Sequence, residues 1–383
     1  LSGADPIPLA QALIRRASVT PADAGAQAVL EAALQPLGFT LTRLPSGGIA
    51  NLHARIGTTS PHFCFAGHTD VVPAGEAPWS VDPFAAVIRG STLIGRGAVD
   101  MKGAIAAFVA ACADYLGQPG QAEILRRRGS ISLLITGDEE GVARDGTARV
   151  LEFLAERGEI PDFCVVGEPT NQARLGDTIK IGRRGSLNAA ITVHGTQGHV
   201  AYPGHADNPA HRLVRALAAL IAAPLDAGSA HFEPSSLQIT SIDIANPARN
   251  LIPARASARL NIRFNDLHRG DDLVAWLRAT LACHAARFDL LPEISGEAFL
   301  TDPAQSAGVA ALEAAIAAEC GGAPARATGG GTSDARFIAR YCPVAEFGLV
   351  GVTMHQADER VEIADLWRLK RVYARLLAAF LAS

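Results

Sequence analysis

The segment ISLLITGDEEG, Ile131–Gly141, decides how this chain is to be read. Its first six residues form a short, mostly aliphatic run of the kind found in strands buried on both faces. Gly137 ends the run, and Asp138, Glu139 and Glu140 follow at once. Carboxylates this close raise one another's pKa, so a chain that places three of them beside a buried strand needs something positive opposite them. The same design recurs. HFCFAGH (62–68) ends in His68, with Asp70 two residues on. FCVVGE (163–168) ends in Glu168, and AEFGLVGVTMH (345–355) ends in His355.

Helical patterns lie between these runs. In AIAAFVAACADYL (104–116), Ile105, Phe108, Val109, Cys112 and Leu116 fall on one face, and TARVLEFLAERG (147–158) reads as a second helix. Strand–helix alternation predicts an α/β domain with a mixed, largely parallel sheet flanked by helices. Near Gly182 the texture changes. SLNAAITVHG (186–195) and RASARLNIRFN (255–265) alternate polar and apolar residues, and amphipathic helices at 208–223 and 272–288 accompany them. That β-α-β-β-α pattern predicts a smaller α+β sandwich inserted into the first domain. The expected division is 1–181 and 294–383 for the catalytic domain and 182–293 for the insert.

In open α/β sheets, ligands bind beyond the carboxyl ends of the strands. Four runs therefore deliver His68, Glu139, Glu140, Glu168 and His355 to one rim, and GRGAVDMKG (95–103) adds Asp100 just before a helix opening. Each residue alone has an ordinary explanation as a surface or structural group. Their convergence does not, and imidazoles mixed with carboxylates suit one or two divalent cations, Zn²⁺ first, with Co²⁺ or Mn²⁺ as substitutes. A dication also makes the crowded carboxylates at 138–140 favourable in their ionised form.

Composition narrows the alternatives. The 383 residues are 49% hydrophobic and 19% charged, with 34 Lys and Arg against 38 Asp and Glu. The one basic cluster, Arg126–Arg128, reads as a solvated connection, so nucleic acid is not an expected partner. Six scattered cysteines without a C-x-x-C pair point to free thiols in a reducing, cytoplasmic compartment. The first twenty residues carry no basic-then-apolar leader pattern, and no run of about 18 apolar residues suggests a membrane span.

The motifs GHTDVVP (67–73), GRGAVDMKG (95–103), TGDEEG (136–141), VGEPT (166–170) and GGGTSDARF (329–337) together resemble the co-catalytic zinc exopeptidase and deacylase family. LGDTIKIGRRGS (175–186), HVAYPGHADNPAHR (199–212) and SGEAFLT (295–301) are most similar to its desuccinylating branch. The resemblance implies two Zn²⁺ bridged by Asp100, one held by His68 and Glu168 and the other by Glu140 and His355. It implies Asp70 orienting His68, and Glu139 as general base. It also implies an inserted lid that makes a homodimer and lends His199 to the partner's site. Arg184, Ser186, Tyr202, Asn250, Arg263 and Thr332 lie in segments that contact a carboxylate-rich substrate in that family. The expected reaction is hydrolysis of N-succinyl-LL-2,6-diaminopimelate, in lysine and diaminopimelate biosynthesis. Deacylation of acetylornithine or another N-acyl amino acid is the alternative, and an inactive metal-binding interaction protein is the rival from another class. The branch usually carries Asn where this chain has Gly351 and Asp358.

Overall fold

The computed structural model describes residues 3–382 and separates into two compact units. One comprises the chain up to Ile181, Thr301–Ala327 and everything from Ser333 on; the other comprises Gly182–Leu300 with Thr328–Thr332.

The first unit is built on an eight-stranded sheet whose order, by first residue, is Thr40, Asn51, Ser130, His62, Phe163, Val344, Thr178, Ala325. Ser130–Thr136, His62–His68, Phe163–Val166 and Val344–Glu346 run parallel to one another at its centre. Every residue of these four strands is buried, which explains their near-continuous apolar sequences. Because they are parallel, their carboxyl ends meet at one edge.

The helices Lys102–Leu116 and Ile363–Ala382 pack on each other, and Ala307–Cys320 packs on the second. Lys102–Leu116 differs from its expected one-sided pattern: all residues from Lys102 to Cys112 are buried. Its alanines allow close approach on several sides. An aromatic cluster fills the space, with Phe65 stacked on Phe108 at 4.4 Å between centroids and Tyr373 edge-on to both. The Tyr373 hydroxyl donates to the Phe347 carbonyl at 2.6 Å, so this buried phenol is satisfied. Arg126–Arg128 is a correction: it forms the last turn of the helix Gln121–Arg128 rather than a connection. Cations there complement the helix dipole, and Arg127 pairs with Glu123 one turn back.

The second unit is a four-stranded antiparallel sheet in the order Ser236–Asp243, Arg255–Phe264, Gly185–His194, Phe288–Gly296. The helices Pro209–Leu220 and Gly270–His284 pack together and bury Leu213, Leu217, Leu273 and Leu277 against Leu187, Ile191, Ile262 and Phe264. Asn208 caps the first helix by accepting the Ala210 N–H. The expected boundary at 293 falls inside the strand Phe288–Gly296, and the unit continues to Leu300. Among the described residues, no helix is long and apolar enough to cross a membrane.

Besides His68, His53 and His62 are buried in the first unit. Burial holds His53 down at about 4 and His62 at about 3; the His62 ring lies 2.8 Å from the Ser132 hydroxyl. Both are neutral when folded and take up protons below about pH 6.5 when unfolded. The unfolded state therefore binds more protons in that window, and stability falls as pH drops. For each histidine, lowering the pH from 6.5 to 4.5 should cost roughly 2–3 kcal/mol. His62→Gln should narrow the wild-type loss over this range by about that amount in chemical unfolding; an unchanged pH dependence would contradict the assignment.

Candidate metal centre

The carboxyl edge of the central strands gathers the acids and histidines picked out by sequence. His68 is the last residue of its strand. Glu139 and Glu140 follow the strand end at Thr136 by three and four residues, and Glu168 follows Val166 by two. His355 arrives differently: its strand ends at Glu346, and a short 3₁₀ turn, Gly351–Thr353, carries the chain back to the edge. Two glycines let the Asp100–Met101 segment come close. A Cβ on Gly67 would meet the Met101 methyl at 2.6 Å, and one on Gly167 would meet the same methyl at 2.6 Å. Met101 is thus wedged beside the residues preceding His68 and Glu168, with Asp100 directly before it.

Asp100 stands at the middle. Its Oδ1 lies 3.1 Å from His68 Nε2 and its Oδ2 lies 3.1 Å from His355 Nε2. Each carboxylate oxygen therefore faces a different imidazole. His355 Nε2 is also 2.9 Å from Glu140 Oε1, while Glu168 Oε1 is 3.7 Å from His68 Nε2. Two sets of donor atoms gather within 4.8 Å: His68, Asp100 and Glu140, and His68, Glu139 and Glu168. Glu139 thus sits on the His68–Glu168 side.

His68 is oriented by the main chain. Its Nδ1 lies 2.9 Å from the Asp70 carbonyl, and the Asp70 carboxylate is 3.7 Å away. An Nδ1–H donating to that carbonyl leaves Nε2 for the centre. The Asp70 carboxylate instead accepts the N–H groups of Glu139 and Glu140 at 3.3 and 3.0 Å, which pins the backbone of the acid pair. Asp138 turns the other way. Its Oδ2 accepts the N–H groups of Arg144 and Asp145 at 2.8 and 3.0 Å and closes the loop that follows the strand.

The electrostatics match a site that expects positive charge. Burial, reinforced by Asp334, Glu140 and Asp100, pushes the Glu139 carboxyl well above the usual range despite His68. Burial and then the charges of Asp100 and Glu139 do the same to Glu168. Burial would raise Asp100 too, but hydrogen bonds from His355 and His68 outweigh it and hold that carboxyl low. Hydrogen bonds to Asp100 and Glu140 lift His355 to about 10. The imidazoles stand in for cations. Glu168 Oε1 is buried with no hydrogen-bond partner, an orphaned acceptor that a cation would satisfy. The donor set fits one or two divalent metals.

Sequence reasoning missed several supporting groups. Arg96 and Glu359 form a fully buried ion pair at 2.8 Å. Glu359 also accepts the N–H groups of Val99 and Asp100 at 2.9 and 3.2 Å. Asp334, from GGGTSD, is buried, is lifted to about 6 chiefly by burial, and accepts the Thr147 hydroxyl at 2.6 Å. Ser333 donates to buried Glu346. Of the two departures, Asp358 has φ +55 and accepts the Ser80 N–H at 2.8 Å, a backbone role that Asn could also fill. Gly351 lies against the segment after Glu168, its N–H donating to the Asn171 carbonyl and Pro169 O standing 3.1 Å from the position of a Cβ.

The remaining residues singled out by sequence lie in the second unit. Ser186 and Arg263 are register partners on neighbouring strands, with Ser186 buried. His199 is exposed; its Nδ1 accepts the Ala201 N–H at 3.1 Å and its ring lies 5.6 Å from that of Tyr202. Asn250 joins this group because its carbonyl accepts the Val200 N–H. Arg184 has its Nε buried without a partner, and its Nη1 is 3.9 Å from Glu233. Thr332 ends the glycine-rich loop whose carbonyls at Gly329 and Gly331 accept from Arg183.

A family model for peptidase family M20/M25/M40 matches residues 64–379. The chain belongs to that family. Among full-length relatives, this M20/M25/M40 chain is 61% identical to the succinyl-diaminopimelate desuccinylase of Granulibacter bethesdensis, over 99% of each chain. It is 60% identical to the enzyme of the same name from Acidiphilium cryptum, over 98% of this chain and 99% of that one. Solved structures share the fold at low identity. An M20 metallo-carboxypeptidase from Sulfolobus solfataricus has a TM-score of 0.77 at 16% identity, over 99% of both chains. A dinuclear metal-binding M20 peptidase from Bacillus subtilis has 0.69 at 15%, over 97% of this chain and 96% of that one. The family match and the donor groups both support a metal cofactor for this M20/M25/M40 chain.

Because His355, lifted to about 10, holds a proton at neutral pH without metal, cation binding should expel protons. Calorimetric zinc titrations in buffers of different ionisation enthalpy should give different apparent heats, and affinity should fall as pH is lowered. Heats independent of the buffer would contradict this electrostatic picture.

Proposed function

We propose that this chain hydrolyses N-succinyl-LL-2,6-diaminopimelate to succinate and LL-2,6-diaminopimelate. The observation that carries the reading is the 61% full-length identity to an enzyme named succinyl-diaminopimelate desuccinylase, joined to the donor groups His68, Asp100 and Glu140, and His68, Glu139 and Glu168. Structural likeness to peptidases at 15–18% identity speaks for the fold and does not compete with it.

In this reading two Zn²⁺ ions occupy the centre. His/carboxylate donors favour zinc, with Co²⁺ or Mn²⁺ as substitutes, and ligand atoms on a tetrahedral zinc lie about 3.4 Å apart, close to the 2.9–3.7 Å separations here. Asp100 would be shared between the ions, His68 and Glu168 would hold one, and Glu140 and His355 would hold the other. When bound, the ions supply Lewis acidity and lower the pKa of water.

Glu139 is the general base. It takes a proton from the water that attacks the amide carbonyl and returns it to the amine nitrogen as the C–N bond breaks. Its buried position suits a carboxyl that must hold a proton between these steps. Asp70 keeps Glu139 and Glu140 in place through their N–H groups. In the second unit, His199 accepts at Nδ1 and so carries its proton on Nε2 when neutral. That tautomer can donate to a developing oxyanion, and we assign it to the site of the partner in a homodimer formed through this unit. Arg184 and Arg263 are assigned to substrate carboxylates, the pairing that guanidinium forks favour, with Ser186, Tyr202, Asn250 and Thr332 completing the contacts. A cytoplasmic location follows from the biosynthetic role.

The test is hydrolysis of N-succinyl-LL-2,6-diaminopimelate by the zinc-loaded protein, with N-acetylornithine as control, in wild type and Glu139→Gln. The succinyl substrate should be strongly preferred, and Glu139→Gln should keep its metal yet lose about 10²–10⁴-fold in rate. Preference for acetylornithine would overturn the substrate assignment, and near-normal turnover by Glu139→Gln would overturn the base assignment.

A further inference from the structure

The Arg96–Glu359 pair lies beneath the metal centre without supplying a ligand. Arg96 is 1% exposed and Glu359 is fully buried. Their contacts sew three loops together. Glu359 Oε2 takes Arg96 Nη1 at 2.8 Å, while Oε1 takes the N–H groups of Val99 and Asp100. Arg96 in turn donates to the carbonyls of Pro73 and Ala74 at 3.2 and 3.3 Å, of Gln356 at 3.3 Å and of His355 at 3.4 Å. The Gly95 N–H adds a main-chain bond to the Glu359 carbonyl at 2.8 Å.

Stability alone does not account for this pair. Buried ion pairs are often no more stabilising than well-packed apolar side chains of the same volume. Here, moreover, Arg96 Nε is left buried without a partner, a further cost. Apolar residues could fill the volume but could not hold two N–H groups of the Asp100 loop and four carbonyls of two other loops in one register.

The support is uneven: on the loop after His68, Arg96 reaches only Pro73 and Ala74, beyond Asp70. The brace grips the backbone of Asp100 on one loop and of His355 on another. His68 is held by its own strand and by the Asp70 carbonyl, and Glu168 sits two residues past a central strand. Neither forms a hydrogen bond or ion pair with Arg96 or Glu359. His355 sits on a loop at φ +62 with its side chain 43% exposed, so its position depends on such anchors.

We infer that Arg96 and Glu359 are positioning residues that set the distance between Asp100 and His355, and so govern the affinity of the cation held by Asp100, Glu140 and His355 more than that of the cation held by His68 and Glu168. This rests on the dinuclear reading above.

The test is zinc titration of the metal-free full-length protein against a chromophoric chelator, for wild type, Glu359→Gln and Arg96→Lys. Circular dichroism and thermal unfolding of each metal-free variant run alongside. Wild type should bind two equivalents. In both variants one equivalent should keep its affinity and the other should weaken about 10- to 100-fold, the usual effect of losing a partner that orients a ligand. The lost activity should return as zinc is raised. Equal weakening of both equivalents together with a lowered unfolding temperature would show a general structural role and overturn the inference, as would unchanged affinities in both variants. If wild type binds fewer than two equivalents, the dinuclear reading itself fails, which is distinguishable because no variant is needed to see it. Where Glu359→Gln fails to fold, Arg96→Lys decides, since it keeps the buried charge and loses only the planar fork.

Discussion

Repulsion among carboxylates is the constraint on which the site depends. Asp100, Glu139, Glu140 and Glu168 meet at one edge of a buried parallel sheet, with Asp334 close enough to act on Glu139. Charges this close and this far from water are tolerated only with compensation. Without metal, His68 and His355 supply it, each sharing Asp100 from one side. With metal bound, the imidazoles would be free to act as ligands. The parallel strands, the small glycines flanking Met101 and the loops tied by Arg96 and Glu359 all serve to hold this arrangement against its own electrostatics.

Much of the centre was legible because strand ends are legible. A short apolar run that stops in Gly-His, Gly-Glu or Gly-Asp-Glu-Glu reports both its buried geometry and the side chain it delivers. His68, Glu139, Glu140 and Glu168 needed nothing more. Asp100 was readable from its place before a helix opening. The α/β class and the smaller antiparallel unit followed from a change in hydrophobic period near Gly182.

What escaped the sequence is long-range. Arg96 stands between Gly95 and Gly97, and its partner is 263 residues away. Glu359, in QADER, carries no local pattern that reports its burial, and it is fully buried. Asp138 reads as a turn residue beside the two glutamates, and its carboxylate closes the 138–145 loop through partners the sequence does not name. Lys102 reads as a helix-start cation, but it is buried and donates to the Arg16 carbonyl at 2.8 Å. The helical Arg126–Arg128 was misread because a run of charges carries no periodicity. Propensity and pattern are local, whereas these roles are set by which loops the fold brings together.

The most direct measurement is anomalous diffraction at the zinc edge from crystals of the metal-loaded protein. Two peaks are expected, one on each side of the Asp100 carboxylate, one with His68 and Glu168 and the other with Glu140 and His355 at about 2.0–2.2 Å, and with Glu139 outside both coordination shells. A single peak, peaks away from Asp100, or Glu139 bound as a ligand would contradict the division of labour drawn here.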